Sequence, residues 1–260
     1  MIPLYYDLHI HSCLSPCGDD DMTPANLVGM AAVKGLDVIA LTDHNSCQNC
    51  RAAMYHGKNY GVTVIPGMEL TTQEEVHVIC LFPTLEDALT FDDLVYGKLL
   101  PIPNREDIFG KQQIMNEIDE VTGTVGNLLI NATSIAFDDV FPLVESCHGI
   151  AYPAHVDKTS TSLISNLGFV PPGSTFTCAE FHDFKNLHRV RREHPYFEKC
   201  NVICCSDAHY LEDIHEPEYQ IYAESKEIPD ILKAVRTTGL AGGLLCPYKG
   251  LLPACARKAH

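Results

Sequence analysis

No apolar stretch in this sequence approaches the roughly 20 residues a helix needs to cross a bilayer. The opening, MIPLYYDLHIH, has neither a basic n-region nor a long h-region, which argues against a secretory leader. A cytoplasmic protein without a membrane partner is therefore expected. Basic charge is scarce: 18 Lys and Arg stand against 34 Asp and Glu, for a net charge of −16. A surface that acidic repels a phosphate backbone, so no docking on duplex nucleic acid is expected. Internal repeats and low-complexity tracts are also missing, and 260 residues need no second domain.

Cysteine is abundant instead, with 12 in the chain. Cys47 and Cys50 form a CxxC, Cys13 and Cys17 a CxxxC, and Cys204 and Cys205 are adjacent, but two pairs at zinc-knuckle spacing do not occur. The thiols are expected to be reduced and packed as small apolar groups.

Apolar runs alternate with amphipathic stretches. Strands are predicted at Leu4–His9, Asp37–Thr42, Val62–Met68, Val76–Phe82, Gly149–Ala154, Phe176–Phe181 and Asn201–Cys205. Runs such as DVIALT and NVICCS suit parallel strands covered on both faces. Helices are predicted at Pro24–Lys34, Cys47–Tyr60, Glu106–Val121, Thr133–Cys147 and Ile228–Thr237, with Thr23, Pro24 and Gly35 as cap, first position and stop of the first. Pro142 should kink or split the fourth. Seven strand signals with intervening helices favour an α/β barrel over an open sheet. One barrel domain is expected over 1–245, with residues 84–131 as an insertion after the fourth strand that could serve as a lid, and 246–260 as a loosely held tail.

The strand ends carry the chemistry. The first ends His9-x-His11, the second LTDHN with Asp43 and His44, and the third PGMEL with Glu69. The fourth begins at His77, the fifth ends YPAHVDK with His155, and the seventh ends CCSDAH with Asp207 and His209. Six of the 13 histidines thus fall at strand signals, where parallel α/β barrels gather their chemistry. Singly, each piece has a plainer explanation: an HxH can be an accident of strand alternation, and TDH or SDAH a helix cap. Jointly they imply a cation, because burying so many ionisable groups without one is costly. Three successive acids, Asp19, Asp20 and Asp21, after the first strand point the same way.

DLHIHS, ALTDHN, GMEL, PAHVDK and CSDAH, in order over residues 5–210, resemble the motifs of the PHP family, named for polymerase and histidinol phosphatase. The likeness is to stand-alone bacterial members. It implies a distorted (β/α)7 TIM-like barrel with two or three divalent ions. By resemblance His9, His11, Glu69 and Asp207 would hold one ion; Asp19, His44 and His209 a second; Glu69, His77 and His155 a third. Asp19 is chosen over Asp20 by its spacing to Thr23-Pro24. SPCGDDDM replaces the family's usual SDG loop, so this ligand is where the chain departs from the pattern.

A set of His and carboxylate donors suits Zn, Mn or Fe rather than Ca²⁺. The implied activity is a metal-dependent phosphoesterase acting on a small phosphorylated substrate: a nucleotide, a sugar phosphate, histidinol phosphate or an oligonucleotide end. A metal-bridging hydroxide would attack phosphorus in line. Asp207 and His209 are candidates for proton relay and Lys158 for phosphate contact, although an exposed lysine at a helix start explains Lys158 equally well. Asp7 and Asp43 could orient ligands from behind. The competing readings are an amidohydrolase, whose barrel also opens with HxH, and a non-catalytic metal-bearing regulatory module. Oligomeric state is not legible.

Overall fold

The computed structural model describes residues 1–237. Along the first half run β1 (Ile2–Ile10), α1 (Pro24–Lys34), β2 (Val38–Leu41), α2 (Cys50–Tyr60), β3 (Thr63–Thr71), β4 (His77–Leu81), α3 (Leu85–Tyr96) and a single turn, α4 (Glu106–Phe109). A hairpin, β5 (Gln113–Met115) and β6 (Val121–Thr124), precedes α5 (Phe137–Ser146), β7 (Ile150–Pro153), α6 (Leu163–Leu167) and β8 (Cys178–Phe181). Then come α7 (Leu187–Glu193), β9 (Asn201–Cys204), β10 (Gln220–Ala223) and α8 (Ile228–Arg236). Among the described residues no helix is long and apolar enough to cross a membrane. The tail expected at 246–260, and the boundary at 245, lie outside the described residues.

All seven expected strands are present, but not in a regular parallel ring. Six strands form one mixed sheet in the order β10-β1-β2-β3-β4-β7, and β8 and β9 form a separate parallel pair. The pair is tied to the large sheet at both flanks, where Val156 N donates to Glu180 O at 2.8 Å and His11 N to Ala208 O at 3.0 Å. The result is a mixed α/β fold with a curled half-barrel sheet. β1, β2 and β3 run parallel, whereas β4 runs antiparallel to both β3 and β7. The cause is chain length. Only residues 72–76 join β3 to β4, and a parallel crossover needs a dozen or more. β10, antiparallel to β1, has no counterpart among the expected strands.

The helix expected over Glu106–Val121 stops after one turn. Gly110 sits at φ 75°, and the Asn116 carboxamide accepts from Ile118 N and Glu120 N, building a turn that closes the hairpin. α1 begins and ends where its signals place it: Thr23 accepts from Asn26 N, and Gly35 adopts φ 83°.

Two-residue periodicity sorts the strands into faces. Val38 and Ala40 share one apolar cluster with Ile65, Ile79, Leu81 and Tyr152, while Ile39, Leu41, Val64, Val78 and Cys80 join the other, under the helices. Glu69 continues the face of Ile65, and His77 that of Ile79 and Leu81. The reversal of β4 therefore sets the start of that strand beside the end of β3, and Thr71 pairs with His77.

Candidate metal centre

Glu69, fully buried, is the hub. Its Oε1 lies 2.7 Å from His77 Nδ1, 3.1 Å from His155 Nε2 and 3.4 Å from His9 Nε2. Its Oε2 lies 3.0 Å from His44 Nδ1 and 3.3 Å from His11 Nε2. Asp207 Oδ1 closes the cluster at 3.3 Å from both His9 Nε2 and His11 Nε2. Three groups keep their donor atoms within 4.8 Å of one another: His9, His11, Glu69 and Asp207; His44, Glu69 and His77; and His11, His44 and His209.

Residues behind the donors decide which ring atoms face inward. His9 Nδ1 lies 3.0 and 3.1 Å from the two carboxylate oxygens of buried Glu180, so it carries the proton. Ser12 N, Ser12 Oγ and Ser15 Oγ all donate to Asp43. Having spent its only proton there, Ser15 Oγ must accept from His11 Nδ1, 2.9 Å away. Both Nε2 atoms are then lone-pair donors, and they face each other at 3.1 Å. Two lone pairs that close repel unless a proton or a cation lies between them.

In the metal-free protein protons take that place. Burial disfavours charge on His11, but hydrogen bonds to Asp207 and Glu69 push its pKa up to about 9. Burial likewise opposes charge on His44, yet the Cys17 sulfur and Glu69 beside it raise it to about 9. His9 is raised well above its ordinary value against burial by Glu180 and Glu69. Burial would raise Glu69, but His77, His9 and His44 hold it well below the carboxylate range. His77 is pushed down to about 4, chiefly by burial, and His209 to about 3 by burial and the charge on His11.

Two of the eight non-glycine residues with positive φ among the described residues lie here. His155 has φ 28° and Asp207 φ 55°, conformations that L-residues rarely adopt and that concentrate at working sites. Glu69 Oε2, His44 Nδ1 and His155 Nδ1 are buried without a hydrogen-bond partner. Orphaned buried donors and acceptors around a shared carboxylate fit a divalent cation, as does the mixture of imidazole and carboxylate.

Of the residues expected from sequence, His9, His11, His44, Glu69, His77, His155, Asp207 and His209 are brought together. Asp19 is not: its Oδ1 accepts from Asp21 N at 2.9 Å within its own turn, and Asp20 Oδ1 accepts from Gln113 Nε2 at 3.0 Å. Lys158 Nζ sits on Asp207 Oδ2 at 2.5 Å. Burial lowers its pKa, but that carboxylate raises it above the usual lysine value. Asp7 holds Ser206 N and His215 N rather than an imidazole. Glu180 is the residue sequence reading missed. Its signal was the strand-end position in CAEFHD, where His182 follows two residues later.

Residues 7–118 match the PHP domain family. Over that segment the chain is similar to PHP domains. Over 79 residues it is 35% identical to a 5'-3' exoribonuclease of Haemophilus influenzae, covering 29% of this chain and 28% of that one. The chain therefore spans well under half the length of that relative. Among solved structures, the lesion-specific endonuclease PfuEndoQ from Pyrococcus furiosus superposes with TM-score 0.65 at 17% identity, over 94% of this chain and 58% of that one.

The same fold appears in Endonuclease Q complexed with a 27-mer duplex substrate with an abasic lesion at the active site, with TM-score 0.64, 17% identity, and 93% and 58% coverage. This overturns the expectation, drawn from net charge, that duplex nucleic acid is excluded. Net charge is a poor guide because exposed charges are screened within about 10 Å, so local distribution decides. Several of the acids counted are inside the centre (Glu69, Glu180, Asp43 and Asp207), where cations would offset them. Conversely, Lys185, Arg189, Arg191, Arg192 and Lys199 cluster in one short stretch around α7.

Proposed function

We propose that this chain is a metal-dependent phosphoesterase. The observation that carries the reading is the opposed Nε2 pair of His9 and His11 over a buried carboxylate, an arrangement that repels itself unless a proton or a cation lies between the two nitrogens. His9, His11, Glu69 and Asp207 would hold one ion; His44, Glu69 and His77, with His155 beside them, a second; His11, His44 and His209 a third. Zn, Mn or Fe suits these donors. Such ions, when bound, supply Lewis-acid charge to a phosphoryl oxygen and acidify water toward neutral pH.

The chain's own residues do the rest. Glu180 and the Asp43–Ser15 pair fix the tautomers of His9 and His11. Lys158, 29% exposed, keeps a positive charge at the rim beside Asp207, where the oxygens of an arriving phosphoester need one. His209 Nδ1 donates to the Asp207 carbonyl at 2.8 Å, leaving Nε2 as its lone-pair atom at the rim. Residues 84–131 pack their hairpin on the loop after β1, through Gln113 N to Cys13 O at 3.1 Å, and would shield the mouth. We read residues 1–237 as one distorted (β/α)7-type barrel with this insertion.

The substrate class runs from small phosphorylated compounds to nucleic-acid ends. The likeness to an exoribonuclease and to Endonuclease Q, with the basic stretch around α7, favours a phosphoester in nucleic acid. The test loads metal-free protein with Mn²⁺ or Zn²⁺ and assays p-nitrophenyl phosphate, its bis ester and 5′-phosphorylated oligonucleotides. Metal should restore turnover, and His209→Ala should abolish it with the far-UV CD spectrum unchanged. Full activity in that variant, or activity indifferent to chelation, refutes the reading.

A further inference from the structure

Positive charge is scarce in this chain, yet residues 185–199 carry five Lys and Arg against two Glu, in a sequence of net charge −16. The stretch opens as one tight helical turn, Phe184–Asn186, that runs directly into α7. Phe184, Leu187 and Val190 recur every third residue and are buried. Lys185, His188, Arg189 and Arg192 recur at i, i+3, i+4 and i+7, and all four are exposed. Residues at that spacing share one helix face. The face is about 10 Å long at 1.5 Å per residue. Arg191, one position off it, turns inward instead: Nε donates to Phe197 O at 3.2 Å and Nη2 to Cys200 O at 3.4 Å.

This face starts at the rim of the metal centre. Glu180, which holds His9, ends the strand that leads into it. Asp157 accepts from His182 N at 2.6 Å, Asp183 N at 3.0 Å and Asn186 Nδ2 at 2.8 Å. Its chain neighbour Lys158 reaches Asp207 Oδ2 in the centre. One carboxylate thus fixes the first turn of the basic face to the loop that carries Lys158. The counter-charges on the face hold it loosely. Arg189 Nη1 lies 3.1 Å from Glu193 Oε2 and Lys185 Nζ 3.7 Å from Asp183 Oδ2, with all four side chains at least 43% exposed. Ion pairs that open to water contribute little, so a phosphate can replace either carboxylate.

We propose that the face of Lys185, His188, Arg189 and Arg192 is the track on which a nucleic-acid substrate lays the strand leading away from the phosphoester held in the centre. This inference rests on the phosphoesterase reading above and deepens it, by giving the polynucleotide a path across the surface. Charge complementarity decides the occupant. A strand offers a row of phosphates, and a row of cations one helical turn apart meets them without reading sequence. The remaining surface is acidic and turns the strand away elsewhere. At about 0.1 M salt an exposed charge is felt over only about 10 Å, so this face attracts a strand despite the net charge of the chain.

A fluorescein-labelled, 5′-phosphorylated thymidine decamer, titrated by anisotropy into chelator-treated protein, tests this without turnover. The variant combines Lys185→Gln, Arg189→Gln and Arg192→Gln, none of them in the metal centre. It should bind about 3- to 100-fold more weakly, the loss expected for three exposed ion pairs. Its slope of log affinity against log salt should flatten by about 2, as for three phosphate contacts on a single strand. In metal-loaded protein KM for the decamer should rise by the same factor, with kcat and p-nitrophenyl phosphate turnover unchanged. Arg189→Lys with Arg192→Lys should bind like wild type, which separates charge from a structural role. The track is refuted if wild type does not bind the decamer, if the glutamine variant binds it equally well, or if polyglutamate of equal charge competes as well as unlabelled decamer. Turnover of p-nitrophenyl phosphate would still uphold the phosphoesterase in each of those cases. Charge-dependent binding with no metal-restored turnover of any substrate would refute the phosphoesterase and uphold the face.

Discussion

Glu180→Gln separates a residue that acts through another from one that binds metal itself. Both Glu180 oxygens lie within 3.0 and 3.1 Å of His9 Nδ1, and the side chain is 1% exposed. Gln keeps an acceptor of the same shape, so His9 retains its tautomer, but the buried negative charge that strengthens the opposite nitrogen as a donor is gone. Carboxylates behind a ligand histidine are typically worth 10- to 100-fold in metal affinity. At about 1.4 kcal/mol per factor of ten, that is roughly 1.4–2.7 kcal/mol. Competition between the metal-free protein and a chromophoric chelator reads it directly. Glu180→Gln should lose affinity by that factor at the His9 site, and Glu180→Ala by more, since its loss leaves a buried N–H unpaired, which costs about 1–3 kcal/mol. Affinity for the glutamine variant within twofold of wild type would refute the claim that charge behind His9 tunes the centre.

Metal uptake should release protons. With His11 and His44 at about 9 in the metal-free protein, both are protonated at pH 7, so binding must displace protons and affinity should climb with pH up to about 9. Calorimetry in buffers of different ionisation enthalpy checks this, and no proton release would refute it. By the same linkage, these raised values stabilise the chelated fold below about 6.5, the ordinary His value, and that support is lost as pH rises through about 9. Thermal melts of chelated protein should fall over that window. Lys158→Met should leave metal content unchanged and cut kcat/KM by about tenfold or more, given that a hydrogen bond to a charged group contributes about 1.5–3 kcal/mol. Unchanged turnover would return Lys158 to an ordinary surface role. A Cβ at Gly18 would meet Ser12 O at 2.3 Å. Gly18→Ala should therefore cost about 1–3 kcal/mol through overpacking and lower Tm by several degrees, and an unchanged Tm would mean the loop moves freely.

The strand ends were legible because one physical rule governs them. Long apolar runs must stop where water or a ligand begins, so His9, His44, Glu69 and Asp207 mark the ends of runs that exist for packing. The direction of β4 was not legible as a pattern, since an apolar run such as VHVICLF carries no mark of strand direction. The information lay in the shortness of the segment from Thr72 to Val76, which forbids a crossover. The hairpin at Gln113–Thr124 was hidden for a different reason. Its residues have helical periodicity, and a side-chain turn at Asn116 overrides that preference. Net charge misled most, because it sums acids that sit inside the centre with acids that face solvent.

Reversal of β4 is also what makes the centre possible. A parallel fourth strand would bring its carboxyl end to this rim and carry His77 to the opposite one. With β4 reversed, His77 starts its strand where Glu69 nears the end of β3, and the two side chains meet at 2.7 Å. A tie too short for a helix thus brings an imidazole onto a carboxylate that four other imidazoles already approach. Lengthening that tie with a flexible insertion between Gln73 and Glu75 would loosen His77 while leaving His9, His11 and Asp207 in place. The expected result is loss of the ion shared with His44 and retention of the one shared with His9. Elemental analysis showing both ions lost together would mean that the tie supports the whole rim rather than one histidine.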